Sequence, residues 1–204
     1  SDIHPLLKES NQVVSMAWTG HWITNEMDAW VKLTTMKNWN DFSEGIRDFG
    51  VPGQNIVYAD IEGNIGWRPA VYIPLRREGF SMLPRPGHDI NYDWNGKVPF
   101  EDMPFIYNPA SGFISTANNR TIGIQFPYYI SGLWADASRA KRIEKVLESL
   151  PEGNMVDMKK LQLDYTSEFG KEILKFLRFY KIEFENDELK DAVDILLRWD
   201  GIES

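Results

Sequence analysis

The 204-residue sequence has no cysteine, only three histidines, and 22 basic against 30 acidic side chains. Without Cys there can be no disulfide framework, thiolate zinc site or thiol nucleophile, although the absence leaves the compartment open. His4, His21 and His88 stand far apart, outside paired ligand spacings such as H-E-x-x-H, and read as surface or turn histidines. A net charge of −8 argues against nucleic acid as a partner, because phosphate-backbone binding needs concentrated positive charge. No apolar run approaches the ~18 residues of a membrane span, and the opening residues lack a basic-then-apolar signal pattern, so no membrane role is expected. There is no G-x-S-x-G elbow or phosphate loop, and Gly63-Asn64-Ile65-Gly66 lacks the helical context of a dinucleotide fingerprint.

What is present is aromatic: eight Trp, eleven Phe and eight Tyr supply a large buriable surface, which excludes a disordered chain. Charge is unevenly spread. Residues 139–204 hold 12 basic and 15 acidic residues in 66 positions, whereas residues 1–138 hold 10 and 15 in 138 and carry seven of the eight Trp. The first part, residues 1–136, therefore reads as strands, turns and pocket walls. Residues 137–204 read as helices with solvated faces. Both parts are assigned to one incomplete α+β domain.

Locally, Val13–Trp18 reads as a short strand and Glu26–Met36 as a helix. Asp41–Phe49 reads as a second helix capped by Asn40, with Phe42, Ile46 and Phe49 on one face. The β-prone runs Asn55–Asp60 and Ile65–Arg68 flank a turn-rich link and predict a hairpin. Nine Pro and Gly breakers between Ile73 and Pro109 predict an irregular excursion, and Gly112–Ala117 reads as a further strand. Helices are expected over Ala137–Leu150, Met155–Leu163, Phe169–Phe179 and Asp187–Trp199. Trp67, Tyr72, Trp94 and Phe100 read as an aromatic wall or as core fillers.

Four ordered blocks carry a resemblance. They are Gln54–Asp60 with Gly63–Gly66; Asp93-Trp94-Asn95-Gly96 with Pro99-Phe100-Glu101; Asn108–Ile114 leading to Thr116-Ala117-Asn118-Asn119-Arg120; and Ser138–Ile143, with Leu197–Gly201 near the end. Together they resemble the penicillin acylase (penicillin amidase) family of N-terminal nucleophile hydrolases. The resemblance implies the αββα sandwich of that superfamily, of which this chain would contribute some strands and loops first and helices toward its C-terminus. It also implies an interior stretch of the β chain of a processed precursor, with the nucleophilic Ser outside the chain. Ser1, whose α-amine could serve as its own base, is set aside on that ground. Expected partners are the remaining α- and β-chain segments and a small-molecule amide substrate. A homodimer is also expected, since missing strands would leave edges and apolar surface exposed.

Two site residues follow from the resemblance. Asn118 matches the oxyanion-stabilising amide of the family, although on its own an Asn there reads as a turn former bonding nearby backbone. Arg139 matches the active-site arginine, against the plain reading of a surface residue beside Lys141 and Arg142. Gln54 and Asn55 read as structural. The family implies calcium in the full-length enzyme, but aromatic Tyr128 and Tyr129 stand where some relatives supply an Asp ligand, so no cofactor or metal is assigned to this segment. A non-catalytic carbohydrate-binding or protein-interaction module is the alternative, and an open row of Trp rings would mark it. A relative that kept the fold and lost activity is the third reading.

Overall fold

The computed structural model describes residues 13–77, 82–150, 152–180, 184 and 186–202. Proximity along the backbone divides the chain into two compact units. One runs to Ile114 and takes in Ile122–Leu133; the other joins Ser115–Thr121 to Trp134 and all that follows. The segment with Asn118 thus belongs with the helices.

In the first unit, α1 spans Glu26–Leu33 and α2 spans Trp39–Gly45. Asn25 caps α1 by accepting from the Asp28 N–H, and Lys32 pairs with Asp28 one turn away at 2.7 Å. The helix stops short of the expected Met36 because the Thr34 and Thr35 hydroxyls donate to the Val31 and Lys32 carbonyls and compete with further helical bonding. The cap of α2 is Asn38, not Asn40: Asn38 Oδ1 accepts from Asp41 N at 2.9 Å, and Asp41 Oδ2 accepts from Lys37 N. The expected apolar face is nonetheless the buried one. Phe42, Ile46 and Phe49 join Ala29, Tyr58 and Ala70 in the main core, although Ile46 and Phe49 lie beyond the helix end.

The hairpin forms as the sequence predicts. Strand β1, Gln54–Ala59, pairs antiparallel with β2, Ile65–Ala70, from Gln54 opposite Ala70 to Ala59 opposite Ile65. Asp60 organises the turn by accepting from the Glu62 and Asn64 N–H groups, the Asn64 amide and the Tyr58 hydroxyl. These bonds, the Asn64 side chain foremost, lower its carboxyl pKa to about 2. Gly66 faces Trp39, where a Cβ would lie 2.2 Å from a ring carbon.

The segment from Ile73 to Pro109 is more ordered than its breakers predict. β3, Pro74–Arg76, pairs with β4, Trp94–Lys97, in a two-stranded sheet with a register shift between Pro74 and Arg76. β5, Ile106–Tyr107, adds to β2, so the larger sheet runs β1-β2-β5. Proline is tolerated because these strands are very short and Pro74 opens its strand. Asn108, at φ 48°, then anchors the exit: its Oδ1 accepts from Ile65 N and its Nδ2 donates to Asn64 Oδ1.

Two expected strands are absent. Residues 13–17 have no regular structure, with Val13 96% exposed. Gly112–Ala117 likewise pairs with no strand, for a reason that bears on the candidate site and is given below.

Glu26 ties α1 to the chain beyond α2, its carboxylate accepting from the Gly50 and Val51 N–H groups and the Thr24 hydroxyl. The Thr24 bond chiefly, with the two backbone bonds, lowers its pKa from 4.5 to about 2. A depressed carboxyl pKa stabilises the fold above the unfolded value and loses that contribution as pH falls toward the folded one. Acid unfolding followed by circular dichroism should therefore be less steep between about pH 4.5 and 2 in Glu26→Gln than in the wild type. Identical acid limbs would refute the assignment. Asp60 and Asp164 titrate in the same window, so the slope is reduced rather than abolished.

In the second unit, α3 spans Ser138–Glu148, α4 Met155–Gln162, α5 Glu168–Tyr180 and α6 Asp187–Arg198, each within two residues of its expected bounds. Asn154 and Asp157 form a reciprocal capping box on α4, and Asn186 caps α6. Gly170 lets α5 approach the Trp199 ring, where a Cβ would come within 2.4 Å of it. Leu174 is buried, while Phe169, Ile173, Phe176 and Tyr180 form an exposed stripe on the same helix.

Candidate active site

The site is built on the turn after residue 116 and the first turn of α3. Asn118 adopts φ 60°, in the left-handed region that Asn tolerates better than most residues. Three bonds fix this turn. Ala117 N donates to Asn119 Oδ1 at 3.0 Å, Ala135 N donates to the Asn118 carbonyl at 3.1 Å, and Arg139 Nη2 donates to the Ala117 carbonyl at 2.8 Å. Both polar backbone groups of Ala117 are thus satisfied by side chains. That is why the expected 112–117 strand finds no ladder: its last residue is already committed, and Gly112, at φ 73°, bends its first.

The same Arg139 nitrogen also donates to Asn118 Oδ1 at 2.9 Å. A guanidinium has only donors, so the amide of Asn118 must present its oxygen to Arg139 and its NH₂ elsewhere. Among the described residues, Nδ2 of Asn118 has no hydrogen-bond partner. The two site residues predicted from the sequence therefore come together, with an unspent amide donor held in a fixed orientation. Both side chains are solvent-exposed in this chain, whereas Ala117 and Ala140 are buried beside them.

Arg139 is the second residue of α3, where a cation meets the positive end of the helix dipole, an unfavourable placement by ~0.3–1 kcal/mol. Helix stability does not account for it. α3 itself is held by Arg142, which binds Asp164 at 2.6 Å and Glu168 at 3.5 Å, and by Ser115 Oγ donating to Glu144. The Arg142 bonds lower the Asp164 carboxyl to about 2. Asp136 accepts from Ser138, which lowers its pKa and completes the start of the helix.

Asn119 and the Ala117 carbonyl are the participants that sequence reasoning missed. The adjacent Asn pair was their only signal. Gln54 and Asn55 lie in β1, where Asn55 Oδ1 accepts from Trp67 Nε1 at 3.0 Å, a structural bond. Ser1 and His4 lie outside the described residues. His21 stacks edge-on against Trp18, and His88 is exposed.

Among the described residues no three His, Asp or Glu side chains gather as a metal site. Asp60, the most highly coordinated carboxylate, spends its oxygens on Tyr58, Glu62 and Asn64. These residues do not fit a calcium ion. Nor do Trp67 and Trp94 form an open aromatic platform: Trp67 is 1% exposed and Trp94 is half-buried.

The family model for penicillin amidase matches residues 3–204. The chain belongs to the penicillin amidase family. It is 32% identical over 197 residues to penicillin G acylase of Escherichia coli, covering 92% of this chain and 22% of that protein. It is 31% identical over 170 residues to the acyl-homoserine lactone acylase QuiP of Pseudomonas fluorescens strain Pf0-1, covering 83% and 20%. The chain thus spans about a fifth of the length of the curated relatives it matches. Among solved structures, the thermostable penicillin G acylase from Alcaligenes faecalis is similar with a TM-score of 0.65 at 23% identity, over 88% of this chain and 33% of that one. This likeness bears out the mixed α+β fold with strands first and helices later, as expected of a penicillin amidase segment.

Proposed function

We propose that this chain is the part of an amide hydrolase that supplies the oxyanion donor for acyl transfer. The reading rests on one observation: the Arg139 guanidinium occupies Asn118 Oδ1 and leaves the Nδ2 donors without an acceptor among the described residues. In the full-length protein, a Ser outside this chain attacks the amide carbonyl of a small N-acyl substrate through its hydroxyl oxygen, and its own α-amine takes the hydroxyl proton. The carbonyl oxygen becomes an anion, which Asn118 Nδ2 receives. Collapse of the tetrahedral intermediate expels the substrate's amine, which takes the proton from the α-amine, and water then hydrolyses the ester to release a carboxylic acid. Backbone-fixed amide donors suit this role because they are oriented before charge develops. The names of the relatives, acyl-homoserine lactone acylase and penicillin G acylase, support an N-acyl amide as the substrate class.

Arg139 is a positioning residue on this reading. Arg139→Gln in the full-length protein should lower kcat with little change in KM, and its cost should be strongly non-additive with that of Asn118→Ala, since one residue acts through the other. Additive losses would separate the two residues and sink the assignment. The 204-residue chain by itself should show no amide turnover. Turnover abolished by Ser1→Ala would instead place the nucleophile in this chain.

A further inference from the structure

Beside the small β3-β4 sheet lies a cleft of about 160 Å³, lined by Arg76, Arg77, Leu75, Pro127, Tyr128 and Tyr129. Its most unusual occupant is Arg76. Two arginines of this acidic chain each bind two carboxylates: Arg47 binds Glu44 and Glu101, and Arg142 binds Asp164 and Glu168, whereas buried Arg68 donates to the Phe100 carbonyl. Arg76 is half-buried, yet among the described residues it donates only one long bond, 3.4 Å, to the Pro74 carbonyl. Its guanidinium carbon lies 5.3 Å from the Tyr129 ring centre and 5.8 Å from that of Trp94, so its faces meet aromatic rings while most of its five donors have no acceptor among the described residues. Arg77, exposed at the strand end, gives one 3.3 Å bond to Asn95 Oδ1. No carboxylate among the described residues pairs with either arginine.

Burial lowers the Arg76 pKa, and among the described residues the Tyr129 phenol offsets this. A guanidinium stays charged at neutral pH even so, and a partly buried charge without a counter-ion is unfavourable. Tyr128, on the wall of the cleft, turns its hydroxyl to Asp102, to which it donates. A cleft far larger than the ~10–15 Å³ that admits one water, with a rigid donor fork inside and apolar Leu75 and Pro127 on its walls, suits a planar organic anion.

We infer that the Arg76–Arg77 cleft is a carboxylate-binding site. It shares no residue with the Asn118 site, and the carboxylate comes either from a free small acid or from a side chain in the rest of the full-length protein. Sodium acetate, titrated into the 204-residue chain at constant ionic strength, should shift the backbone amide resonances of Arg76, Arg77 and Tyr129 along a saturable curve. Arg76→Gln should weaken this binding by about ten- to a hundredfold, read at Tyr129. Arg77→Gln, at an exposed position, should also weaken it and serves as the second variant. The same titration on the full-length protein separates the sources. Saturable binding there identifies a free acid as the ligand, and binding confined to the 204-residue chain identifies an internal carboxylate that already fills the cleft. A wild-type chain that shows no saturable response, or one whose response survives both substitutions unchanged, overturns the inference.

Discussion

Asn118→Ala in the full-length protein is expected to reduce kcat toward its amide substrate by ~10²–10³, with KM changed far less. The size follows from what the side chain can do. Removing one oriented donor to a tetrahedral oxyanion typically costs ~2.7–4 kcal/mol of transition-state stabilisation, because the donor acts on charge that exists only there. Nothing in the ground state should register its loss as strongly. The protein should still fold, since the exposed Asn118 side chain contributes one bond, the one Arg139 makes to it, and Arg139 keeps its bond to the Ala117 carbonyl. Thermal unfolding of the variant near the wild-type temperature, alongside unimpaired hydrolysis, would leave Asn118 as a turn former and nothing more. Asn118→Asp is the sharper control: a carboxylate there would accept from Arg139 as well as the amide does, yet would meet the developing oxyanion with a like charge and no N–H.

How much of this could be read in the sequence depends on how local the determinant was. The hairpin was legible because its signals lie within a dozen residues: two β-prone runs around a turn whose Asp60 and Gly63 are turn formers by chemistry. The helical unit was legible for the same reason, through apolar spacing along α3 to α6. What failed was non-local. The cap of α2 moved from Asn40 to Asn38 because burying Phe42, Ile46 and Phe49 set where the turns fall, and either Asn would have served locally. β5 is two residues long and exists only because β2 offers it an edge, so no pattern within residues 106–107 could announce it. The strand expected at 112–117 has suitable residues, but its last backbone groups go to Asn119 and Arg139. For Arg139, that means a side chain more than twenty positions away. The same long-range contact was invisible as spacing and entered only through the family resemblance, which paired Asn118 with Arg139 without saying that one would fix the orientation of the other.

The fold of the first unit should depend most heavily on Trp67. It sits in the central strand of the larger sheet, opposite Val57 on one side and Ile106 on the other, and is 1% exposed. Its indole N–H donates to Asn55 Oδ1 at 3.0 Å, so the ring is both the largest fully buried side chain and the partner of a polar group. Trp67→Ala would open a cavity that flanking strands cannot close, at a cost of ~3–5 kcal/mol, and would leave the Asn55 carbonyl without its donor. Against a total stability of ~5–15 kcal/mol, such a loss lowers the unfolding midpoint by ~10 °C or more, or prevents folding. Trp67→Phe keeps most of the apolar volume and should cost far less. Asn55 is exposed and can turn its amide oxygen to water, so changing Asn55 to Leu in the same chain should alter that smaller loss little. Near-ultraviolet circular dichroism and thermal unfolding of the three variants would decide the matter. A Trp67→Ala protein within 1 kcal/mol of wild type by that measurement would mean that the sheet is held by something other than its central indole.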